Sequence, residues 1–330
     1  MKTRKLGYTS LNLSVVGLGT WPFSNTDHFG WGPQSDKDTI ATVQRAMEVG
    51  VNWIDCAPIY GLGQSEEAVG RALKTLSKKP IIATKALFQW KPDGTPQLRL
   101  DRENVRKQYE LSLKRLGIDF IDMYMIHWPF AAEYLEEGWT TLAELVKEGK
   151  VGCIGVSNFS VKQMEMLKPI HPVAFLEPPY SMLERDAENG LLEYCGKNNI
   201  GVITYSSLQQ GLLTATPPDL SKLTPKDVRR TSARFKEPEY SLNMKLGPAL
   251  DAYAKKSGHT AAQLGIAWNL RRPELTSAIT GPRIPAQIED TAKAADWQLT
   301  NEDIAQVEKL LADRLATLKQ WKANMMALPL

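Results

Sequence analysis

Short apolar runs alternate along the chain with longer amphipathic segments, and this alternation predicts a parallel α/β fold. In the amphipathic segments apolar residues recur at helical spacing, as Ile40, Val43, Ala46 and Met47 do in 36–50. Because parallel strands are joined by crossover helices, eight units of this kind predict a closed (β/α)8 TIM barrel. The eight apolar runs that we interpret as buried strands are 13–19, 51–55, 80–85, 120–127, 151–158, 172–177, 200–206 and 275–281.

An open, doubly wound sheet is the alternative arrangement of the same elements. A dinucleotide-binding sheet of that type begins with a GxGxxG turn after its first strand, and GLGTWP at 17–22 does not continue as one. The closed barrel is therefore preferred, as a single domain spanning 1–330. We also expect Ser65 to be the N-cap of the helix 65–76, which follows the second strand.

The seventh strand is followed by residues 207–240, which are rich in proline and charge and too long for an ordinary connection. Such a segment favours a functional loop, and Arg229, Arg230 and Arg234 are its candidates for facing an anion. A solvated surface loop is the alternative interpretation. Further helices are predicted at 242–258, 260–272 and 301–315, and a C-terminal tail at 318–330.

The overall composition is that of a globular protein, with 43% hydrophobic and 23% charged residues among 330. A formal charge of +3 argues against nucleic acid or an anionic membrane as the main partner. No run approaches the roughly 20 apolar residues that span a bilayer, and the N-terminus lacks a secretory signal. Three widely spaced cysteines, which we expect to be buried, suit a reducing compartment, so a cytoplasmic location is expected.

Four residues that suit acid–base chemistry lie at or near strand ends. Asp55, Lys85 and His127 each end an apolar run, and Tyr60 follows Asp55 closely. Parallel barrels gather such ends at one mouth. A phenol has a pKa of about 10, which an adjacent ammonium lowers, and an aspartate can keep that ammonium charged and oriented. With His127 bonded to the substrate oxygen, the group can protonate a carbonyl while a cofactor delivers hydride.

Each of the four also has a simpler explanation when it is taken alone. A strand-end Asp and Lys often pair structurally, a loop Tyr often packs, and a single His is often a satisfied core residue. Their combination at neighbouring strand ends favours catalysis. No cluster of His, Cys and Asp has metal-ligand spacing, so no metal is expected, and no GxSxG elbow indicates an acyl-transfer hydrolase.

The chain resembles the aldo-keto reductases from about residue 3 to residue 312. GVNWIDCAPIYG with SEEAVGRAL resembles the family signature around its aspartate and tyrosine, TK its lysine segment and IHWP its histidine segment. VGCIGVSNF, YSSLQQGLL, DVRR, ARF and TGPRIPAQIED resemble its cofactor-binding stretches. The resemblance implies a catalytic tetrad of Asp55, Tyr60, Lys85 and His127.

The resemblance also implies that NADP(H) binds across the C-terminal mouth of the barrel, under 207–240. Residues implied at the nicotinamide are Thr20 and Trp21 beside it, Ser157 and Asn158 on its carboxamide, and Tyr205 stacked on its ring. Residues implied at the pyrophosphate are Ser206, Leu208, Gln210 and Gly211. Arg283 and Gln287 are implied at the adenosine 2′-phosphate, where a guanidinium fork suits phosphate. Further implied cofactor contacts are Arg234, Gly281 and Asp290.

Glu177 stands where relatives commonly carry a glutamine that binds the carboxamide. Glutamate can accept a hydrogen bond there, but it cannot donate one unless it is protonated. If Glu177 is ionised near the ring, it should favour the oxidised, positively charged cofactor and alcohol oxidation. Pro282 and Asp290 also replace the residues that are frequent in the family at the adenosine end.

The substrate is expected to be a small carbonyl compound or alcohol. Trp21 and Trp128 are predicted to line the pocket, with Phe23, Trp31 and Trp90 as further candidates. The resemblance is greatest to bacterial members that handle short aldehydes, ketones and polyols such as glycerol. Two alternatives stay open: a redox-sensing regulatory subunit of the same fold with little turnover, and a barrel enzyme that uses no nicotinamide.

Overall fold

The computed structural model of the protein describes residues 1–24, 26, 29–225 and 227–326, of which 322–326 are described as backbone only. Eight parallel strands close into a barrel, so the predicted TIM barrel is confirmed. The barrel order, starting from the first barrel strand, is β3-β4-β5-β8-β9-β10-β11-β12. In chain order the strands are β1 Thr3–Lys5, β2 Asn12–Ser14, β3 Val16–Gly19, β4 Trp53–Asp55, β5 Ile81–Ala86, β6 Phe88–Trp90, β7 Pro96–Leu98, β8 Ile121–Ile126, β9 Val151–Ser157, β10 Phe175–Glu177, β11 Gly201–Thr204 and β12 Leu275–Thr280.

Helices follow the barrel strands as the amphipathic segments predicted. Several begin where a side chain caps the first turn: Ser35, Asp101 and Thr260 each accept from a backbone N–H, and Ser160 forms a capping box with Gln163. The helices of the described residues are α1 Asp36–Glu48, α2 Gln64–Leu73, α3 Arg102–Leu116, α4 Leu135–Lys147, α5 Val161–Leu167, α6 Leu191–Lys197, α7 Glu239–Ala254, α8 Ala261–Leu270, α9 Pro285–Ala292 and α10 Asn301–Met326.

The prediction that Ser65 caps α2 is wrong. A tight turn over Tyr60–Gly63 leads directly into the helix, which starts at Gln64 after Gly63 in the left-handed region. Ser65 is therefore inside the first turn. Its hydroxyl is buried and donates to the carbonyl oxygen of Thr20 at 2.8 Å, which ties α2 to the end of the first barrel strand.

The first predicted strand, 13–19, is divided in the structure. Residues 16–19 form the barrel strand β3, whereas Leu13 and Ser14 belong to β2, which pairs antiparallel with β1. This hairpin places Leu6 and Leu13 among the side chains that fill the barrel, together with Trp53 and Phe175. The hairpin therefore closes the end of the barrel opposite the mouth formed by the strand carboxyl ends.

The barrel interior depends on one glycine on β3. A Cβ atom at Gly17 would lie 2.2 Å from the ring of Trp53, which is fully buried on the neighbouring strand. Because side chains and not water fill the centre of a small barrel, a large ring on one strand needs a residue without a side chain opposite it.

The long segment 207–240 contains short 3-10 turns and loops, and the residues that the structure describes there exclude Lys226. Its predicted anion-facing arginines bond to the protein itself. Arg229 forms a two-pronged pair with Asp227, at 2.9 and 2.7 Å, and Arg230 donates to carbonyl oxygens of the same loop. These contacts give the segment a defined conformation.

At the C-terminus, α10 continues through much of the predicted tail 318–330. Residues 327–330 lie outside the described residues, and so do the side chains of 322–326. Within the described chain, no helix combines the length and apolar character needed to cross a membrane. The three cysteines, Cys56, Cys153 and Cys195, are buried free thiols, which confirms their predicted burial.

Candidate active site

Three neighbouring barrel strands bring the four predicted catalytic side chains together. Asp55 ends β4, Lys85 lies near the end of β5, and His127 directly follows β8. The ammonium of Lys85 donates to the carboxylate of Asp55 and to the carbonyl oxygen of Cys56 at 2.9 Å. Its nitrogen lies 5.3 Å from the centroid of the Tyr60 ring, and the Tyr60 and His127 rings meet edge to face at 5.9 Å.

Burial determines the protonation states in this cluster. It raises the pKa of Tyr60 well above its ordinary value, and the nearby charge of Lys85 opposes that rise only in part. Burial also lowers the pKa of His127 well below its usual range, and Lys85 lowers it further. For Lys85, burial would lower the pKa, but Asp55 and Glu177 raise it well above the ordinary value. The site therefore holds a neutral phenol, a neutral imidazole and an ammonium.

Glu177 ends β10 and points at the same ammonium. Its Oε1 atom lies 3.5 Å from the nitrogen of Lys85, and its Oε2 atom is buried with no hydrogen-bond partner among the described residues. Burial, followed by the charge of Asp55, raises the pKa of Glu177 to about 8, although Lys85 acts in the opposite direction. The lysine thus has two carboxylate neighbours.

Aromatic side chains surround the reacting end of the site. Trp21 meets the Tyr60 ring edge to face at 5.0 Å, and Phe88 meets the His127 ring in the same way at 5.4 Å. Trp128 stacks on the exposed ring of Phe130 at 5.3 Å. These rings leave an apolar wall beside two polar groups, which suits a small molecule with one reacting oxygen.

Phe88 is a candidate pocket residue that the sequence reasoning missed. Phe88 belongs to the hairpin β6–β7, which is inserted after β5, and Asp93 with Gly94 in its turn is a hairpin signal that could have found it. Among the other aromatic candidates, Phe23 lies in the hydrophobic core, Trp31 lies against Arg229 and Trp90 lies against Arg115.

A chain of hydrogen bonds joins the strand ends next to the tetrad. The Tyr205 hydroxyl donates to Asn158 at 2.7 Å, the Asn158 amide donates to the carbonyl oxygen of His127 at 3.0 Å, and the Ser157 hydroxyl donates to the carbonyl oxygen of Glu177 at 2.9 Å. Asn158 has a φ of 65°. Residues other than glycine seldom adopt this left-handed backbone conformation, and asparagine is one of those that adopt it most readily.

The end of the barrel strand β11 is followed by three more residues with positive φ. After β11, positive φ angles occur at Ser206, Gln209 and Gln210, at 56°, 46° and 55°. Strained backbone of this type concentrates at ligand sites.

Several buried polar atoms near the mouth have no partner among the described residues. They include Nδ1 of His127, Oε2 of Glu177, Oγ of Ser207, Oε1 of Gln210 and Nε1 of Trp31. Unpartnered buried polar groups are unfavourable unless a ligand or water satisfies them. Donors and acceptors of this kind fit a nucleotide with an amide and phosphates. Ser207 was not among the predicted cofactor residues, although its neighbour Ser206 was.

The structure places the other implied nicotinamide and pyrophosphate contacts at the same mouth. Thr20 follows β3 and bonds to the carbonyl oxygen of Asp55 at 2.9 Å. Leu208 and Gly211 lie in the turn after β11, and Gly281 follows β12, where an added Cβ would lie 3.3 Å from Pro22. The geometry therefore brings these positions to one rim, and their roles stay predictions.

The implied adenosine contacts are engaged with the protein itself. Arg283 donates to Gln34 at 2.9 Å, to the carbonyl oxygen of Trp31 at 3.0 Å and to that of Pro33, which uses three of its five N–H groups. Gln287 accepts from the backbone of Arg283 at 2.7 Å. Asp290 accepts from Thr260 and Gln263, and Arg234 pairs with Glu184.

The barrel fold and the Asp55–Tyr60–Lys85–His127 cluster agree with a comparison of the chain against protein families. Residues 15–312 match the model of the Aldo/keto reductase family, so the chain belongs to that family and is an oxidoreductase of it. Members of the family use nicotinamide cofactors.

Individual relatives match over nearly their whole length. The chain is 34% identical over 319 residues to the protein named Aldo-keto reductase YhdN of Bacillus subtilis (strain 168), covering 96% of this chain and 95% of that one. It is 32% identical over 317 residues to an NADH-specific methylglyoxal reductase of Escherichia coli (strain K12), covering 92% and 96%. Among solved structures, the glycerol dehydrogenase AKR11B4 from Gluconobacter oxydans matches with a TM-score of 0.86 and 32% identity, covering 94% of this chain and 95% of that one.

Proposed function

We propose that this protein is an NADP(H)-dependent oxidoreductase that interconverts small aldehydes or ketones with alcohols or polyols, glycerol and glyceraldehyde among them. The observation that carries the proposal is the meeting of Tyr60, Lys85, Asp55 and His127 at one buried mouth, beside polar atoms that have no partner within the described residues.

Each tetrad residue has a definite task in this proposal. In reduction, Tyr60 donates its proton to the carbonyl oxygen, because its raised pKa keeps it a neutral phenol before the reaction. Lys85 stabilises the phenolate that forms, and Asp55 holds the ammonium in place. His127, held neutral by burial, offers a ring nitrogen to the substrate oxygen. When bound, the nicotinamide supplies the hydride, or accepts it in the reverse reaction.

The residues that would hold the cofactor follow the strand ends. We expect Asn158 and Ser157 to bind the carboxamide, and Tyr205, whose hydroxyl donates to Asn158, to stack on the ring. Ser206 to Gly211 provide the turn for the pyrophosphate, with the segment 207–240 covering it. The left-handed residues in this turn support the assignment.

A preference for NADP over NAD is supported by Arg283. Three of its N–H groups are used by the segment Trp31–Gln34, and the remaining two can take a phosphate oxygen pair. We expect Arg283→Gln to weaken NADPH binding by about tenfold or more while leaving NADH binding nearly unchanged, as one charge-assisted pair is lost. Equal weakening of both nucleotides, measured by fluorescence titration, would remove the argument. The NADH-specific relative shows why this test is needed.

The aromatic wall and the relatives support small substrates. A methylglyoxal reductase and a glycerol dehydrogenase are among the similar proteins. Trp21 lies against Tyr60 and Phe88 against His127, which gives the site an apolar wall, and Trp128 stays a predicted pocket residue. The three buried free thiols suit a reducing compartment, so a cytoplasmic enzyme is part of the proposal.

The deciding experiment follows the absorbance of NADPH, and separately of NADP+, with purified protein and a panel of carbonyls and alcohols. The panel runs from glycerol and glyceraldehyde to methylglyoxal and simple aromatic aldehydes. Steady multiple turnover is expected with at least one of them. Oxidation of one bound NADPH without further turnover would favour a redox-sensing subunit instead, and failure to bind either nucleotide would overturn the proposal.

A further inference from the structure

Three charged groups share one dry space at the ends of β4, β5 and β10. Asp55, Lys85 and Glu177 are exposed by 3%, 0% and 2%, so water does not screen them from one another. Lys85 bonds to Asp55 and lies 3.5 Å from Glu177, and it is the only cation among the three.

The charges of this cluster do not balance. With both carboxylates ionised, the cluster carries one uncompensated negative charge in a buried site, which is strongly unfavourable. Lys85 carries one positive charge and shares it between Asp55 and Glu177, and Oε2 of Glu177 has no hydrogen-bond partner among the described residues, so Lys85 compensates only one of the two carboxylate charges. Either a proton or an external cation must compensate the other.

We propose that the Asp55–Lys85–Glu177 cluster holds one exchangeable proton on its carboxylates, and that this proton is released to solvent when the oxidised nicotinamide binds and kept when the reduced one binds. This inference rests on the proposed function, because it takes the nicotinamide to bind at the tetrad. The positive ring of NADP+ replaces the proton as the compensating charge. The neutral ring of NADPH does not, so Glu177 remains a carboxylic acid beside it.

The other titratable groups that face Glu177 do not supply this proton. Tyr60, on the turn after β4, and Tyr205, after β11, both have pKa values raised by burial, so both stay neutral. His127 is held neutral by burial next to Lys85. Lys85 has a pKa well above its ordinary value and stays charged. The two carboxylates therefore titrate as one unit.

The sign of the effect on binding follows from this exchange. The pKa of Glu177 is about 8 without ligand, so below pH 8 the binding of NADP+ must displace a proton. NADP+ affinity therefore rises by up to about tenfold per pH unit until about pH 8 and is constant above it. NADPH affinity shows no such rise, because NADPH binding displaces no proton from the cluster.

The test measures the dissociation constants of both nucleotides from pH 6 to pH 9.5 and compares their ratio. Taking the ratio cancels the titration of the ribose 2′-phosphate, which both nucleotides carry. The expected result is a ratio of the NADP+ constant to the NADPH constant that falls steeply to about pH 8 and is level above it. In Glu177→Gln the ratio should not depend on pH, and the surface control Glu144→Gln should behave like the unchanged protein.

Calorimetry at pH 7 in two buffers of different ionisation enthalpy gives an independent measurement on the unchanged protein. NADP+ binding should release close to one more proton than NADPH binding. This measurement tests the proposed proton release even if Glu177→Gln does not fold. Equal proton release by both nucleotides, with a level affinity ratio, would overturn the linkage while leaving the proposed function intact. Failure of both nucleotides to bind would overturn the two together.

Discussion

At the scale of single residues, what matters at the mouth is which groups the protein leaves without partners. Lys85 donates hydrogen bonds to Asp55 and to the carbonyl oxygen of Cys56 and lies 3.5 Å from Glu177, whereas Nδ1 of His127 and Oε2 of Glu177 have no partner among the described residues. In the proposed mechanism the charge of this ammonium acts on Tyr60, whose ring centroid lies 5.3 Å from the Lys85 nitrogen, and the tyrosine is the group proposed to exchange a proton with the substrate.

We expect Tyr60→Phe to reduce kcat about 10²- to 10⁴-fold in either direction, because a positioned general acid contributes about that much. Nucleotide binding should be nearly unchanged, since the ring and its packing remain. The matched control is Tyr124→Phe, which removes the hydroxyl of a different buried tyrosine, one that has no hydrogen-bond partner among the described residues. Turnover retained in Tyr60→Phe, or lost equally in the control, would disprove the role.

Glu177 should also leave a signature in the stability of the ligand-free protein. Its pKa is about 8 when folded and about 4.3 for an ordinary glutamate, so between these values the folded state binds a proton that the unfolded state does not. Its contribution to stability is therefore fully present below pH 4.3 and is lost as the pH rises toward 8. The loss is about 1.4 kcal/mol per pH unit at most.

Urea unfolding of the protein and of Glu177→Gln at pH 5, 6.5 and 8 measures this contribution. The variant should gain stability relative to the unchanged protein as the pH rises. Glu144→Gln should show no such gain, because the bonds from Arg102 and Arg106 lower the pKa of Glu144 instead of raising it. A constant difference between Glu177→Gln and the unchanged protein would mean that Glu177 is ionised throughout.

The meeting of the four tetrad residues was predictable because Asp55, Lys85 and His127 lie at or near the ends of apolar strands and Tyr60 lies in the turn after one of them, and a parallel barrel brings strand ends together. Phe88 and Ser207 were not predicted, because Phe88 lies on a hairpin inserted after β5 and Ser207 lies in the loop that follows β11. A side chain that enters the site from outside the strand pattern leaves no periodic signal.

At the scale of elements, buried polar contacts determine where α2 begins, which the periodic pattern of apolar residues could not predict. The sequence predicts Ser65 as an N-cap, but its hydroxyl instead donates a hydrogen bond to the carbonyl oxygen of Thr20, which links α2 to the end of β3. One residue later, Glu66 is fully buried and accepts from Thr84 on β5 at 2.8 Å and from Arg115 on α3 at 2.9 Å. The start of α2 is thus fixed by contacts with a strand and a helix that lie far away in the sequence.

Arg115→Met should destabilise the protein by about 3–5 kcal/mol, because it leaves the buried carboxylate of Glu66 without its cation. The double variant with Glu66→Gln should recover part of that loss. Arg71→Met is the matched control: it removes an exposed pair with Asp36 and should change stability by less than about 1 kcal/mol. Equal effects of the two arginine variants in urea unfolding would show that the buried pair has no special role.

At the scale of the whole molecule, the candidate active site and the hairpin that closes the barrel lie at opposite ends of the barrel. The tetrad and the strained loops lie at the carboxyl ends of the strands, and the hairpin β1–β2 closes the other end. The eightfold alternation in the sequence was enough to predict the barrel. The closing hairpin was not predicted, because its two three-residue strands are too short to show a period, and residues 13–14 merged with the next strand.

The separation of the two ends can be tested at Leu6, which is fully buried in the cluster that fills the barrel. The turn beside it is tightly fixed, because a Cβ at Gly7, with φ of 51°, would lie 2.6 Å from the carbonyl oxygen of Asn199. Leu6→Ala leaves a cavity that this turn cannot fill, and should lower the free energy of unfolding by about 2–5 kcal/mol.

Below the melting temperature of the Leu6→Ala variant, its kcat/KM should stay within about twofold of the unchanged protein, because a remote cavity removes no transition-state contact. Leu315→Ala, the same change at an exposed position on α10, should alter neither quantity. If Leu6→Ala instead reduced activity in proportion to stability, the two ends of the barrel would be coupled, and the assignment of the hairpin to stability alone would be wrong.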